Sequence, residues 1–260
     1  MEKKSVVTLA CNGQIFKDIH AVFLDKDGTL ADVATYLSQL GHIQAQLMEQ
    51  ALSGTHELTL QALGFNADGL TASGLLAVGS RQETIMGIAT VAALVGCPWV
   101  KAIDLAIATL KAADQQCSPK ALYTPLLPGA LDFLQRLRLA GLKIIMVSAD
   151  SQHNLESFVQ HHHLQTYFDV LQGVTRENPT KMSADFLSTA CQAIDIEPAQ
   201  GVVIGDAASD LHMALPTRGF IGYLGGWRPP LSKTDILGDG CSRASLVHSF
   251  TTDFSQIVLT

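Results

Sequence analysis

Hydrophobic positions along the chain fall into two textures. Short apolar runs that stop abruptly at polar residues occur at 21–24 (AVFL), 143–148 (KIIMVS), 201–206 (GVVIGD) and 219–223 (GFIGY). Runs of this length, rich in Val and Ile, predict strands covered on both faces, as in a parallel sheet. Between them lie segments with helical spacing at 130–139, 154–162 and 181–194, and a further short strand is expected at 167–171. Pro128-Gly129 precedes the first of these helices and Gly141 ends it, while Asp150 or Ser151 caps the second. Strands alternating with helices imply right-handed crossovers in one parallel sheet.

From about 31 to 120 the texture changes. Apolar residues recur at three and four: Leu37, Leu40, Ile43 and Leu47 mark one helix, and Leu58, Leu60 and Leu63 a short second. Residues 84–94 and 100–110 predict two more, and no strand is expected there. The fold class is therefore α/β: a Rossmann-like parallel sheet formed by 1–30 and 121–260, interrupted by a helical insertion at 31–120. Residues 6–16 predict a hairpin turning at Asn12-Gly13, placed at a sheet edge without a chemical role. The tail after Tyr223 is expected to be loop-rich.

Composition narrows the function. Hydrophobic residues make up 47% of the 260 and charged residues 16%, as in a packed globular protein. Net charge is −7 and the 17 Lys and Arg are scattered, which argues against nucleic acid as a partner. The most apolar stretch, 88–100, is broken by Cys97-Pro98 and is shorter than a membrane span, so no membrane partner is expected. Five well-separated cysteines and no leader-like apolar segment fit a cytoplasmic location. Monomer and homodimer remain equally open.

The candidate chemistry gathers where the strands end. In a parallel sheet ligands bind outside the carboxyl ends of the strands, and three of these strands end in Asp25-x-Asp27, Ser148 and Asp206. Asp25 and Asp27, two apart, are expected to project together while Lys26 points away. Gly28 then allows a sharp turn. Adjacent carboxylates need a divalent cation or a shared proton.

With these residues in place, the chain resembles the haloacid dehalogenase superfamily, in its phosphatase-like branch with a helical cap. DKDGT (Asp25 to Thr29) is similar to the first motif, Ser148 to the second, Lys181 in KMSADFL to the lysine motif, and GDAASD (Asp206, Asp210) to the fourth. Met182 stands where the lysine motif has proline; Lys143 is a rival, but it begins its strand.

The resemblance implies a Mg²⁺-dependent phosphatase acting on a small phosphorylated metabolite. Asp25 is then the nucleophile that forms an aspartyl-phosphate, and Asp27 the general acid and base. Mg²⁺ is held by Asp25, the Asp27 carbonyl, Asp206 and Asp210. Lys181 and Ser148 hold phosphoryl oxygens, and Thr29 helps position the phosphate. Asp27 favours phosphoryl transfer over carbon–halogen cleavage, because an alkoxide leaving group needs an acid and a halide does not.

Arg81 has two readings. Ser80 and Glu83 form a capping-box pattern around it, and the segment also resembles the substrate-contacting G-x-S-R loop of β-phosphoglucomutase-like caps. A phosphomutase is thus an alternative, but it lacks support at Leu37, where such enzymes carry a histidine. A non-catalytic metabolite-binding relative is a third reading, weakened by the four retained aspartates. His161-His162-His163 reads as a solvated helix end, His153 as a helix-start residue, and Trp227-Arg228-Pro229-Pro230 as a rigid loop, with a place at the pocket rim as its lesser reading.

Overall fold

The computed structural model describes residues 7–175, 181, 185–238 and 246–260. They fall into two compact units, Met1–Asp32 with Pro125–Thr260, and Val33–Thr124. In chain order the strands are β1 (Val7–Cys11), β2 (Gln14–Ile19) and β3 (Ala21–Asp25); then β4 (Phe65–Asn66) and β5 (Gly69–Leu70); then β6 (Lys143–Ser151), β7 (Val170–Val174), β8 (Gly201–Gly205), β9 (Gly219–Tyr223), β10 (His248–Thr251) and β11 (Ile257–Leu259).

The larger unit is built on a six-stranded parallel sheet in the order β10-β9-β8-β3-β6-β7. Strand β3 lies between β8 and β6, with Leu24 opposite Ile204 and Asp25 opposite Val147. Every residue of β3, β8 and β9 is buried, which explains their unbroken apolar runs. Phe23, Val203, Ile145 and Phe220 form one core with Phe186, Leu187 and Ala190 of the helix Phe186–Gln192.

Several expectations need correction. The N-terminal hairpin forms, with Asn12 and Gly13 at φ +46° and +84° as a tight turn requires. It does not extend the main sheet, however. Strand β11 adds to β1, giving a separate three-stranded antiparallel sheet. The tail is also more regular than expected: β10 pairs beside β9 and carries the parallel sheet one strand further. Its sequence, HSFT, is too short and polar to stand out as a buried run. The strand expected at 167–171 is shifted to β7, and β6 runs on to Ser151. Of the helix expected at 181–194, residues 182–184 lie outside the described residues, and the described part is Phe186–Gln192. Cys241 also lies outside them, whereas Cys11, Cys97, Cys117 and Cys191 are free thiols.

The second unit contains the helices Ala34–Ala51, His56–Leu63, Arg81–Leu94 and Trp99–Gln116, packed through Met48, Leu63, Ile88, Ala89, Ala102, Ala106 and Leu110. It is not wholly helical. Strands β4 and β5 make a two-residue antiparallel ribbon, turned where Asn66 Oδ1 accepts from Asp68 N–H at 2.8 Å. A ribbon this short leaves no periodicity in the sequence. The one-turn helix Leu75–Val78 was equally hidden. The helix His56–Leu63 has no local cap; the Glu49 carboxylate takes the N–H groups of Gly54, Thr55 and His56 instead. No helix among the described residues is long and apolar enough to cross a membrane.

Besides the pairing of β10 and β11, an aromatic stack holds the C-terminal segment within the larger unit. Phe254 lies between Phe133 and Tyr223, with ring centroids 4.9 and 4.4 Å away, and Arg136 donates to the carbonyls of Phe254 and Ile257 at 2.7 and 2.8 Å. Phe254→Ala is expected to cost about 3–5 kcal/mol in urea unfolding, the range for truncating a buried phenylalanine. A cost below about 1 kcal/mol would show that the stack adds little.

Candidate active site

The strand order brings together residues far apart in sequence. Asp25 ends β3, Ser148 lies one residue past its neighbour Val147 on β6, and Asp206 follows the last residue of β8. Asp210 stands in the first turn of the helix Ala208–Met213, where its Oδ2 accepts from Ala207 N–H at 3.1 Å. One carboxylate oxygen from each of Asp25, Asp206 and Asp210 lies within 4.8 Å of the other two. Among the described residues this is the one such cluster, and no histidine belongs to it. His162 packs on Phe158, and His161 on His162.

Lys181 enters the cluster from the other side. Its Nζ donates to Asp25 Oδ1 and to Asp210 Oδ1, the latter at 2.9 Å, with all three side chains buried. The rival Lys143 sits at the opposite strand end beside Asp169. Burial pushes the Asp25 carboxyl up to about 7, against the pull of Lys181 and with the push of Asp210. Burial, then Asp25 and Asp210, drives Asp206 well above the carboxylate range as well. Burial alone would lower the Lys181 ammonium, but Asp210 and Asp25 outweigh it and hold it above its ordinary value.

Three buried carboxylates thus face one ammonium, and the negative excess is what a divalent cation with oxygen ligands would offset. The donor set is hard and all-oxygen. No side-chain carbon can stand at residue 28, where a Cβ would lie 2.0 Å from Asp206 Oδ2; Gly28 adopts φ +77° there. These residues fit such an ion.

The first motif departs from simple alternation. After Asp25 the chain curls so that the Lys26 carbonyl accepts from Leu30 and Ala31 N–H, each at 2.8 Å. Lys26 does not point away: it is buried, its Nζ pairs with Asp27 Oδ1 and with Asp150 Oδ2, the latter at 2.9 Å, and it lies 5.2 Å from the Phe158 ring centroid. The strand ends at Asp25, so the two-residue period that predicted otherwise no longer applies. Asp27 is partly exposed, with its carboxylate on Lys26 rather than in the cluster. Thr29 Oγ1 lies 3.5 Å from Asp206 Oδ1. Ser148 is buried, and its Oγ accepts from Asp150 N–H at 3.1 Å. Of the two candidate caps for the helix Gln152–His161, Ser151 fills the role, accepting from Asn154 N–H.

Arg81 belongs to the second unit. The capping box between Ser80 and Glu83 forms, and the Arg81 guanidinium pairs with Asp114 at 2.7 Å on an exposed surface. Trp227, expected in a rigid loop with a place at the pocket rim as the lesser reading, is buried and donates from Nε1 to Asp206 Oδ2 at 2.7 Å. Its neighbours Gly225 and Gly226 and the two following prolines were the available signal.

The sequence profile of the haloacid dehalogenase-like hydrolases matches residues 19–215, which contain every carboxylate of the cluster. The chain belongs to this family. A phosphoglycolate phosphatase from Synechococcus elongatus is 32% identical over 89 residues, 34% of this chain and 41% of that protein. The chain thus matches about two fifths of the length of that hydrolase. Similar structures include a predicted phosphoglycolate phosphatase from Haemophilus somnus 129pt (TM-score 0.60, 15% identity, 91% of this chain and 95% of that one). A predicted phosphatase from Clostridium acetobutylicum is comparable (TM-score 0.60, 17% identity, 90% and 94%). At these identities the structural matches establish a shared fold.

The raised Asp25 carboxyl has a consequence for stability. Between about 3.8, its ordinary value, and about 7, the folded chain holds a proton that the unfolded chain gives up. Stability from this group is therefore full below the lower value and is lost as the pH rises through the upper one. In EDTA, Asp25→Asn is expected to gain stability relative to wild type as the pH is raised from about 5 to about 8, measured by urea unfolding. A relative loss over that range would contradict the assignment.

Buried and exposed lysines at the two strand ends should also differ. Lys26→Met leaves Asp27 and Asp150 without their buried ammonium and is expected to lower Tm clearly. Lys143→Met, at a lysine about half exposed, should change it little, since exposed pairs contribute about 0–1 kcal/mol. Equal effects would show that the Lys26 pairs carry no special weight.

Proposed function

We infer that this hydrolase is a phosphatase that removes a phosphoryl group from a small phosphorylated metabolite. The observation that supports the reading best is the meeting of Asp25, Asp206, Asp210 and Lys181 at the carboxyl edge of the sheet, with a second carboxylate, Asp27, two residues after Asp25. The profile match over most of the chain and the partial match to a phosphoglycolate phosphatase agree with it.

In this reading Asp25 is the nucleophile. Its carboxylate attacks phosphorus, the bond to the leaving oxygen breaks, and an aspartyl-phosphate forms. Asp27 supplies the proton that the leaving alkoxide needs, then takes one from the water that attacks the aspartyl-phosphate. The Lys26 ammonium pairs with the Asp27 carboxylate and limits where it can turn. Lys181 and Ser148 hold phosphoryl oxygens, where negative charge must be balanced during transfer. Thr29 lines the same edge.

Asp25, Asp206 and Asp210, with the Asp27 carbonyl, would hold Mg²⁺. Bound there, the ion offsets the repulsion between carboxylate and phosphate. The inserted unit, Val33–Thr124, is the cap in this proposal, and Arg81 is its candidate contact to the substrate. A cytoplasmic location fits the free cysteines.

Phosphate release from a panel of phosphorylated two- and three-carbon acids and sugars tests the reading. We expect Mg²⁺-dependent release that EDTA abolishes, and a loss of at least about a thousandfold in Asp25→Asn. Release that persists in that variant would overturn the role of Asp25. Interconversion of sugar phosphates without net release would favour a phosphomutase.

A further inference from the structure

We propose that Trp227 is a positioning residue for the cation site: its indole N–H fixes the Asp206 carboxylate so that one oxygen is left to ligate. The inference rests on the reading of Asp25, Asp206 and Asp210 as ligands of a divalent ion.

Three observations carry it. First, Trp227 Nε1 donates to Asp206 Oδ2 at 2.7 Å, and both side chains are buried. With Oδ2 committed to the indole, Asp206 presents its other oxygen, Oδ1, which among the described residues has the Thr29 hydroxyl at 3.5 Å. Second, the indole packs directly against the nucleophile loop, the turn that follows Asp25. A Cβ at residue 28 would lie 2.7 Å from Trp227 Nε1, and a Cβ at residue 226 would lie 1.7 Å from the Gly28 carbonyl oxygen. Two glycines thus let the backbone before the indole and the backbone after Asp25 come into direct contact.

Third, the loop that carries Trp227 is closed at its base. Leu231 N–H donates to the Leu224 carbonyl at 3.0 Å, and Leu224 N–H to Thr251 at 2.7 Å. A Cβ at residue 225 would meet the Thr252 carbonyl at 2.3 Å. The loop after β9 is therefore held against β10 on one side and the nucleophile loop on the other.

The chemistry of the donor is informative. A lysine or arginine in this place would also hold Asp206, but its charge would repel the cation. An indole N–H is neutral and donates one hydrogen bond in a fixed direction. It orients the carboxylate and leaves its charge available. Partners of this kind around metal ligands govern affinity as well as geometry.

The chain has two tryptophans. The other, Trp99, is about half exposed in the helical unit and takes no part in the site. Trp99→Phe therefore leaves Trp227 as the single indole reporter. Titrating that variant with MgCl₂ should give a saturable change in tryptophan emission, at a midpoint equal to the Kd from calorimetry. In wild-type background, Trp227→Phe keeps an aromatic ring and removes the donor. Its Kd for Mg²⁺ should rise by about ten- to a hundredfold, with the far-UV circular dichroism unchanged.

A Trp227→Phe protein that binds Mg²⁺ within twofold of wild type would overturn the proposal and leave the cation site standing. A wild-type protein that binds no Mg²⁺, Mn²⁺ or Ca²⁺ by calorimetry would overturn both. Should Trp227→Phe fail to fold, the emission of Trp99→Phe decides: a change on saturation supports the proposal, and an unaltered spectrum at saturating Mg²⁺ overturns it.

Discussion

The structure depends on keeping three buried carboxylates together. Asp25, Asp206 and Asp210 each lose solvation, and each repels the others. Lys181 offsets part of this, and the remaining excess of negative charge is what a divalent cation with oxygen ligands would offset. The cost of such a cluster is bearable only on a rigid frame. The frame here is the parallel sheet, in which β3 is hydrogen-bonded on both sides and the ends of β6 and β8 are held in register with it. Apolar burial along these strands is thus coupled directly to the placement of the charges at their ends.

Close packing enforces the same geometry. At residues 28, 205 and 226 an added methyl group would meet Asp206, Asp210 and the backbone of Gly28 in the turn after Asp25. These glycines are short-range spacers. They let three loops from different strands share one small volume, and they explain how Trp227, distant in sequence, becomes part of the site. The second ammonium, Lys26, does related work one step away. It brings Asp27 and Asp150 together and so links the loop after β3 to the end of β6.

Much of this was legible in the sequence, for physical reasons. The buried strands announce themselves because a strand covered on both faces has no polar positions, and the carboxylates that end them break that pattern sharply. Asp25, Ser148, Lys181, Asp206 and Asp210 were all found in this way or through motif resemblance. What escaped falls into two kinds. Short elements such as β4, β5 and the helix Leu75–Val78 are set by local turns and tertiary packing and leave no period to detect. Long-range side-chain bonds, such as Trp227 to Asp206 and Lys26 to Asp150, depend on how loops meet in space. The chain pairing of β11 with β1 likewise joins the two ends of the sequence.

In the proposed mechanism Asp25 accepts the phosphoryl group. The direct measurement is an acid quench of wild-type protein during turnover with Mg²⁺, followed by peptide mass spectrometry under conditions that preserve acyl phosphates. The expected result is a phosphoryl adduct on the peptide that contains Asp25, absent when EDTA replaces Mg²⁺ and absent in Asp25→Asn. Turnover that proceeds with no adduct on Asp25, or with the adduct on another residue, would contradict it.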